Sequence, residues 1–251
     1  MALYDLYFSP TGGTKKVMTV LAEALGGARS GNLADPGEVS VVFGRDDVVL
    51  IGAPAYGGRV PALAVEKIEK LKTEGARAVL VAVYGNRAYE DTLLELRQAA
   101  EKAGFRPVAA VAAVAEHSIA RTVAKGRPDE QDVTALRGIA SAIRERLEGG
   151  EVPEPLAVPG HVPMKEYHGV PLKPTVTDDC VGCGFCARMC PAQAIFNEYP
   201  SRTDLDKCIS CMRCVKLCPC GGRILDRDAV AGVAQMLEKA APERKEPELF
   251  L

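Results

Sequence analysis

Eight cysteines in two copies of one spacing pattern are the residues of this chain best suited to chemistry. The first copy is Cys180-x2-Cys183-x2-Cys186-x3-Cys190-Pro191, and the second is Cys208-x2-Cys211-x2-Cys214-x3-Cys218-Pro219. Three closely spaced thiolates can wrap one face of a [4Fe–4S] cube, and the fourth cysteine, before proline, ligates the other cube. The pattern predicts one cluster held by Cys180, Cys183, Cys186 and Cys218, and a second held by Cys208, Cys211, Cys214 and Cys190.

Structural zinc is the alternative, because repeated Cys-x2-Cys also suits tetrahedral zinc sites. Zinc sites usually use two separated pairs, so three cysteines in a row before a fourth favour iron and sulfide. All nine cysteines lie between positions 180 and 220. Disulfide-bonded proteins spread cysteines through the fold, so this clustering indicates metal binding and a reducing compartment. The ninth, Cys220, is interpreted as a small buried thiol near a cluster, with an alternative ligand or redox-active thiol as the second interpretation.

Charge and hydrophobicity argue against nucleic-acid binding, secretion and insertion into a membrane. The 251 residues include 31 basic and 33 acidic side chains, for a net charge of −2, so no basic surplus points to nucleic acid. The N-terminus lacks the pattern of a signal peptide, and the longest apolar run, over residues 108–115, is too short to span a membrane. These features predict a cytoplasmic protein.

Apolar runs alternate with amphipathic segments over residues 1–150, which predicts a βαβ domain with a parallel sheet. The expected strands cover residues 3–8, 29–33 or 39–42, 47–53, 78–84 and 108–115. The expected helices cover residues 14–25, 61–71, 89–103 and 129–147.

The rest of the chain divides into three parts. Residues 151–174 contain six prolines and are predicted to form a semi-rigid linker, in which His161 and His168 are solvated or packing residues. Residues 175–226 form the duplicated cysteine module. Residues 227–251 are predicted to hold a helix over 228–240 that packs on one of the domains, followed by a mobile tail from Pro242.

Three loops at strand ends form a candidate cofactor site. The first strand runs into Ser9-Pro10-Thr11-Gly12-Gly13-Thr14 just before a helix, where backbone N–H groups and the helix dipole can bind a phosphate. The next two strands are followed by loops that bring tyrosine and glycine, suited to stacking on an aromatic ring and to close backbone approach. The candidate binding residues are Ser9, Thr11, Gly12, Gly13, Thr14, Pro54, Ala55, Tyr56, Gly57, Gly58, Tyr84, Gly85, Asn86 and Tyr89.

With these motifs, the chain resembles the flavodoxin–ferredoxin fusion electron-transfer proteins of anaerobic bacteria and archaea. The resemblance extends to Glu116-His117-Ser118 and Gly126-Arg127-Pro128-Asp129. It implies a flavodoxin-like, doubly wound α/β domain with five parallel strands in the order 2-1-3-4-5. In this fold FMN binds at the switch point, where the strand order reverses between strands one and three. It further implies a small α+β ferredoxin-like domain with two [4Fe–4S] clusters.

The implied function is electron transfer between FMN, the two clusters and redox partner proteins, with ferredoxin-type donors or acceptors. A flavin-dependent iron–sulfur reductase with a small-molecule substrate is one alternative, and His117 is the candidate catalytic residue for it. A redox sensor is another alternative. Because the linker could place flavin and clusters in different subunits, a homodimer is a further possibility.

Overall fold

Buried apolar strands that alternate with amphipathic helices build an α/β domain in the computed structural model, which describes residues 2–149 and 155–251. The strands are β1 (Leu3–Tyr7), β2 (Arg29–Asn32), β3 (Val42–Phe43), β4 (Val48–Pro54), β5 (Lys72–Thr73), β6 (Arg77–Tyr84), β7 (Arg106–Val114), β8 (Thr175–Val176), β9 (Arg223–Ile224) and β10 (Glu248–Phe250). The helices are α1 (Gly13–Ala24), α2 (Ala62–Glu69), α3 (Thr92–Ala103), α4 (Glu130–Glu148), α5 (Phe185–Arg188), α6 (Arg213–Leu217) and α7 (Arg227–Ala240).

The main sheet has the strand order β10-β7-β6-β4-β1-β2. Its five parallel strands, β2-β1-β4-β6-β7, give the order 2-1-3-4-5 that was predicted, so the flavodoxin-like fold class is confirmed. Strands β4, β6 and β7 are apolar and almost wholly buried, because helices cover both faces of the sheet. The carboxyl ends of β1 and β4 meet at the point where the strand order reverses.

The second strand was ambiguous in the sequence, and the structure selects the first of the two segments considered. Strand β2 lies at the sheet edge, where every residue is at least partly exposed. Its sequence therefore lacks the apolar run by which a buried strand is recognised. Part of the other segment forms β3, which pairs with β5 in a separate two-stranded sheet.

The expectation of a mobile tail is wrong. Strand β10 pairs antiparallel with β7, with Leu249 opposite Val111. Asn86 holds the segment before β10, because its Nδ2 donates to the carbonyls of Ala241 (3.1 Å) and Glu243 (2.9 Å). Its Oδ1 also accepts the N–H of residue 245 at 3.3 Å. These contacts join positions far apart in the chain, which local sequence patterns do not show.

The proline-rich segment is bound along the α/β domain. Its start, residues 150–154, lies outside the described residues. Farther on, Leu156 is buried in the core, and the fully buried Asp91 accepts the backbone N–H groups of His161 (2.8 Å) and Lys165 (2.7 Å). Asp91 also bonds the His161 ring at 2.8 Å, and the His161 side chain is 81% exposed, so of the two expected roles the ring has the solvated one.

The cysteine module is small and has little regular structure. Strands β8 and β9 pair antiparallel, and the short helices α5 and α6 each contain the third cysteine of one copy. Helix α7 buries Leu237 against Ala120 and Val123, so it packs on the α/β domain. Across residues 2–149 and 155–251, every helix is too short or too polar to cross a membrane.

Asn86→Gly should loosen the C-terminal segment. Asn86 has a φ of +65°, which glycine adopts without strain, so the substitution removes three hydrogen bonds and little else. We expect the free energy of opening of β10, measured by amide hydrogen exchange, to fall by about 1–3 kcal/mol. The exposed Asn197 offers a control, because Asn197→Gly should leave β10 unchanged. Unaltered β10 exchange in Asn86→Gly would show that strand pairing alone holds the tail.

Candidate functional site

The loop between β1 and α1 is shaped to bind an anion. Gly12, the N-cap of α1, has a φ of +95° and no side-chain acceptor, and the first turn of the helix contains no acidic residue. Ser9 is fixed in place, because its Oγ accepts the N–H of Lys15 at 3.0 Å. Asn32 bonds both the backbone N–H (3.0 Å) and the carbonyl (3.2 Å) of Ser9. With the Lys15 N–H taken by Ser9, the N–H groups of Gly13 and Thr14 at the start of α1 are the ones available to a phosphate.

A cavity lies where the three predicted loops meet, and it is called the flavin cavity here. The predicted residues that line this cavity are Ser9, Thr11, Gly13, Thr14, Pro54, Ala55, Tyr56, Gly57, Tyr84 and Gly85.

Four predicted residues do not line the flavin cavity. Gly12 lines an adjoining cavity together with Lys16 and Arg121. Gly58 has a φ of +88° and packs against Glu90. The side chain of Asn86 holds the C-terminal segment, as described above, and the Tyr89 hydroxyl bonds Glu248 at 3.1 Å.

A fourth loop, after β7, also lines the flavin cavity and contains His117. The His117 Nδ1 accepts the N–H groups of Ile119 (3.2 Å) and Ala120 (3.0 Å), which leaves the proton on Nε2. Burial lowers the pKa of His117, so the ring is neutral at pH 7. Gly85 packs directly on this ring, and a β-carbon at position 85 would collide with it. His117 is therefore a neutral hydrogen-bond donor at the edge of the cavity.

Tyr56 and Gly57 lie beneath a tyrosine of the linker. Gly57 has a φ of +60°, and a β-carbon there would lie 2.8 Å from the Tyr167 ring. Burial raises the pKa of Tyr56 well above its ordinary value, and the neighbouring Cys211 and Tyr167 add to the rise. Tyr56 therefore lies between the flavin cavity and a predicted cluster ligand.

Tyr84 forms part of the floor of the cavity. Its ring is 4% exposed and meets the Tyr89 ring edge to face, with 5.2 Å between the centroids. Burial raises the pKa of Tyr84 to about 12. Its hydroxyl has no hydrogen-bond partner among the described residues.

All four cysteines of the second predicted cluster line one cavity. These four are called the proximal set: Cys190, Cys208, Cys211 and Cys214. Within residues 2–149 and 155–251, no three Cys, His, Asp or Glu side chains converge as ligands of a single metal ion would. Cys190 from the first copy lines this cavity together with three cysteines of the second. That these four are the ligands of one cluster stays a prediction.

Burial disfavours ionisation of two thiols of the proximal set. It raises the pKa of Cys211 to about 12 and that of Cys214 to about 11, and the nearby Arg223 opposes the rise at Cys214. Without a bound metal these two groups are protonated at pH 7. Cluster binding would replace each proton with iron, since the thiolate is the ligand.

The remaining four ligands predicted are called the distal set: Cys180, Cys183, Cys186 and Cys218. Residues after Cys218 fold back on the start of the first copy, because β9 pairs with β8 and Gly222 packs on the Cys180 backbone. A β-carbon at Gly222 would lie 2.8 Å from Cys180, so only glycine allows this approach. Cys183 is exposed.

Cys220 lies beside the distal set. Its Sγ is 3.7 Å from that of Cys218. Backbone N–H groups of Gly222 and Val181 lower the pKa of its thiol. The interpretation of Cys220 as a small thiol near a cluster stays a prediction.

The cysteine module reaches into the flavin cavity. Ser210, between Cys208 and Cys211, is 2% exposed and lines that cavity together with Val170. Its Oγ donates to the Val170 carbonyl at 3.0 Å. Arg213 pairs with Asp35, in the loop after β2, and so ties the module to the carboxyl edge of the sheet. Sequence reasoning missed Val170 and Ser210, because no local pattern indicates which face of the module docks.

Comparison with known protein families identifies the cysteine module as a domain of its own. Residues 179–222 match the model of a family described as a 4Fe-4S dicluster domain. Comparison with curated proteins gave no match. The chain thus joins a flavodoxin-like α/β domain to an iron–sulfur domain, as in a flavodoxin–ferredoxin fusion.

Three of the similar solved structures illustrate the match to the α/β domain. A short-chain flavodoxin associated with a bacterial microcompartment is 16% identical, with a TM-score of 0.42 over 59% of this chain and 99% of its own. A flavodoxin from Streptococcus pneumonia TIGR4 is 15% identical, with a TM-score of 0.42 over 58% and 99%. Rubredoxin oxygen:oxidoreductase from Desulfovibrio gigas is 17% identical, with a TM-score of 0.41 over 59% and 36%. Because these TM-scores are below 0.5, the fold assignment rests on the strand order.

Cys190→Ala should remove the cluster of the proximal set and spare that of the distal set, although Cys190 belongs to the first copy of the motif. We expect the iron content of anaerobically purified protein to fall by about half. Cys183→Ala should remove the other cluster, so the electron paramagnetic resonance (EPR) spectra of the two variants should together reproduce the wild type. Cys220→Ser is the control and should keep both signals. Loss of the same signal in Cys190→Ala and Cys183→Ala would contradict the crossed assignment.

Proposed function

We propose that this protein transfers electrons, with one FMN in the flavin cavity and one [4Fe–4S] cluster at each cysteine set. FMN exchanges one or two electrons, whereas an iron–sulfur cluster exchanges one. The chain would then connect one-electron redox partners, of ferredoxin type, to a two-electron centre. Its own residues hold the three groups, fix their spacing and exclude solvent.

Several residues of the flavin cavity fit FMN. The open N–H groups after Gly12 suit its phosphate, and the Tyr56 ring offers a face for the isoalloxazine. Gly57 and Gly85 also line the cavity, and their missing side chains leave room for the Tyr167 and His117 rings that pack on them. The neutral His117 supplies one Nε2–H donor at the edge of the cavity.

The observation that carries the proposal is the shared wall between the two sites. Ser210 lines the flavin cavity, and the cysteines on either side of it in the loop, Cys208 and Cys211, line the proximal cavity. Tyr56 lines the flavin cavity, and Cys211 is near enough to add to the rise in the pKa of Tyr56. Only a few residues would separate the flavin from the proximal cluster.

The distal set offers an entry point for partner proteins. Cys183 is exposed, and the adjacent Val181 is 73% exposed. A partner that docks here would exchange electrons first with the distal cluster, then with the proximal cluster and then with FMN. Because both sites adjoin within one chain, this route does not need a second subunit.

The route can be tested by measuring flavin reduction in the full chain. Anaerobic protein would be mixed with a reduced ferredoxin, and flavin absorbance would be followed by stopped flow. We expect fast reduction in the wild type and reduction at least about tenfold slower in Cys190→Ala, which interrupts the route beside the flavin. Cys220→Ser should behave like the wild type.

Cys183→Ala separates the two cluster positions. With a ferredoxin donor its flavin reduction should be slow, because the exposed entry cluster is lost. With a small photochemical reductant its flavin reduction should stay faster than that of Cys190→Ala, because the proximal cluster remains. Equal rates in the wild type and both variants would overturn the proposed route.

A further inference from the structure

Arg223 is a buried cation in a position where the internal duplication has an apolar residue. It lies five positions after Cys218, and Ile195 lies five positions after Cys190. Ile195 is buried, as expected for an apolar side chain, but Arg223 is also buried, with 2% of its surface exposed. The second copy therefore holds a guanidinium inside the module in place of isoleucine.

The hydrogen-bond partners of Arg223 leave its charge without an acidic counterpart. Its Nε donates to the Cys186 Sγ at 3.3 Å, Nη1 donates to the Thr203 hydroxyl at 3.0 Å, and Nη2 donates to the Pro200 carbonyl. No ion pair in the described part of the chain includes Arg223. Burial of a cation is strongly unfavourable unless an opposite charge is near. The thiols are the groups around it that can become anionic.

Arg223 also lies between the two cysteine sets. Its Nε contacts Cys186, a member of the distal set, and the same side chain lines the proximal cavity together with Cys214 and Cys190. Clusters with four thiolate ligands carry net negative charge. A guanidinium between them faces both charges at once.

We infer that Arg223 is the buried counter-charge of the two clusters and that it raises the reduction potential of the distal cluster through Cys186. An N–H donor on a ligand sulfur withdraws electron density from it, and a nearby cation stabilises the more negative, reduced state. Reduction adds one electron from an external donor to the cluster, and Arg223 keeps its proton throughout. The inference depends on the proposed pair of clusters, and not on FMN or on partner proteins.

The test is an anaerobic redox titration of the full chain, monitored by EPR. Arg223→Ile installs the residue of the first copy and should lower the distal midpoint potential more than the proximal one. Arg223→Lys keeps the charge, so its distal potential should lie between those of Arg223→Ile and the wild type.

Arg188→Met is the matched control. Arg188 is also a cation beside the distal set, but it is exposed, and its Nη1 donates to the Cys183 carbonyl at 3.2 Å instead of to a sulfur. Its removal should shift the distal potential less than Arg223→Ile does. Equal shifts in the two variants, or no shift in Arg223→Ile, would overturn the inference.

A measurement on intact protein covers the case in which Arg223→Ile fails to assemble. Protein labelled with ¹⁵N-guanidinium arginine should show a ¹⁵N coupling to the reduced distal cluster in pulsed EPR. The coupling should weaken in Arg223→Lys and persist in Arg188→Met, whose lost guanidinium contacts only the Cys183 carbonyl. Its absence in the wild type, or an unchanged coupling in Arg223→Lys, would overturn the inference. Iron and sulfide analysis of the wild type separates this result from a failure of the cluster assignment itself.

Discussion

The docking of the second cysteine loop on the carboxyl edge of the sheet is the contact on which the arrangement of the sites depends. Ser210 completes the wall of the flavin cavity, and Arg213 pairs with Asp35 beside it. The loop that holds the proximal set is therefore also part of the flavin site. Helix α7 and strand β10 also join the C-terminal part to the α/β domain, but only this loop brings cysteines to the flavin cavity. With it, the switch point of the α/β fold faces the cysteines of the proximal set.

Buried polar groups hold this contact in place. Asp91 is fully buried and holds the linker through two backbone N–H groups, so the segment that joins the domains follows one path. Lys173, near the end of that path, donates to the Cys208 carbonyl. Groups of this kind are unfavourable when unpaired, which selects the one arrangement that satisfies them all. The docked geometry is thus specified by hydrogen bonds as well as by apolar packing.

Local patterns were enough to predict the parts of the site that lie within single segments. The cysteine spacing predicts two ligand sets, and the structure brings the four members of the proximal set to one cavity. The strand-to-loop transitions predicted most of the lining of the flavin cavity. Asn86 and Tyr89 were placed with the flavin because they follow a strand end, but their side chains turn to the C-terminal segment. The loop position was right, and the direction of the side chains depended on a strand from the far end of the chain.

Residues that depend on long-range docking could not be read from the sequence. Val170 and Ser210 reach the flavin cavity only because the module packs on one particular face. Arg223 could have been found, since the comparison of the two copies sets it against Ile195, but its burial between the cysteine sets needed the fold. Strand β10 is three residues long and has no apolar alternation that would mark it.

An iron anomalous-scattering map from anaerobically grown crystals tests the central claim most directly. The account predicts two iron clusters and bound FMN in one chain, with the cluster of Cys190, Cys208, Cys211 and Cys214 between the flavin and the other cluster. A flavin that lies nearer to the cluster of Cys180, Cys183 and Cys186, or a cysteine module detached from the flavin cavity, would contradict it.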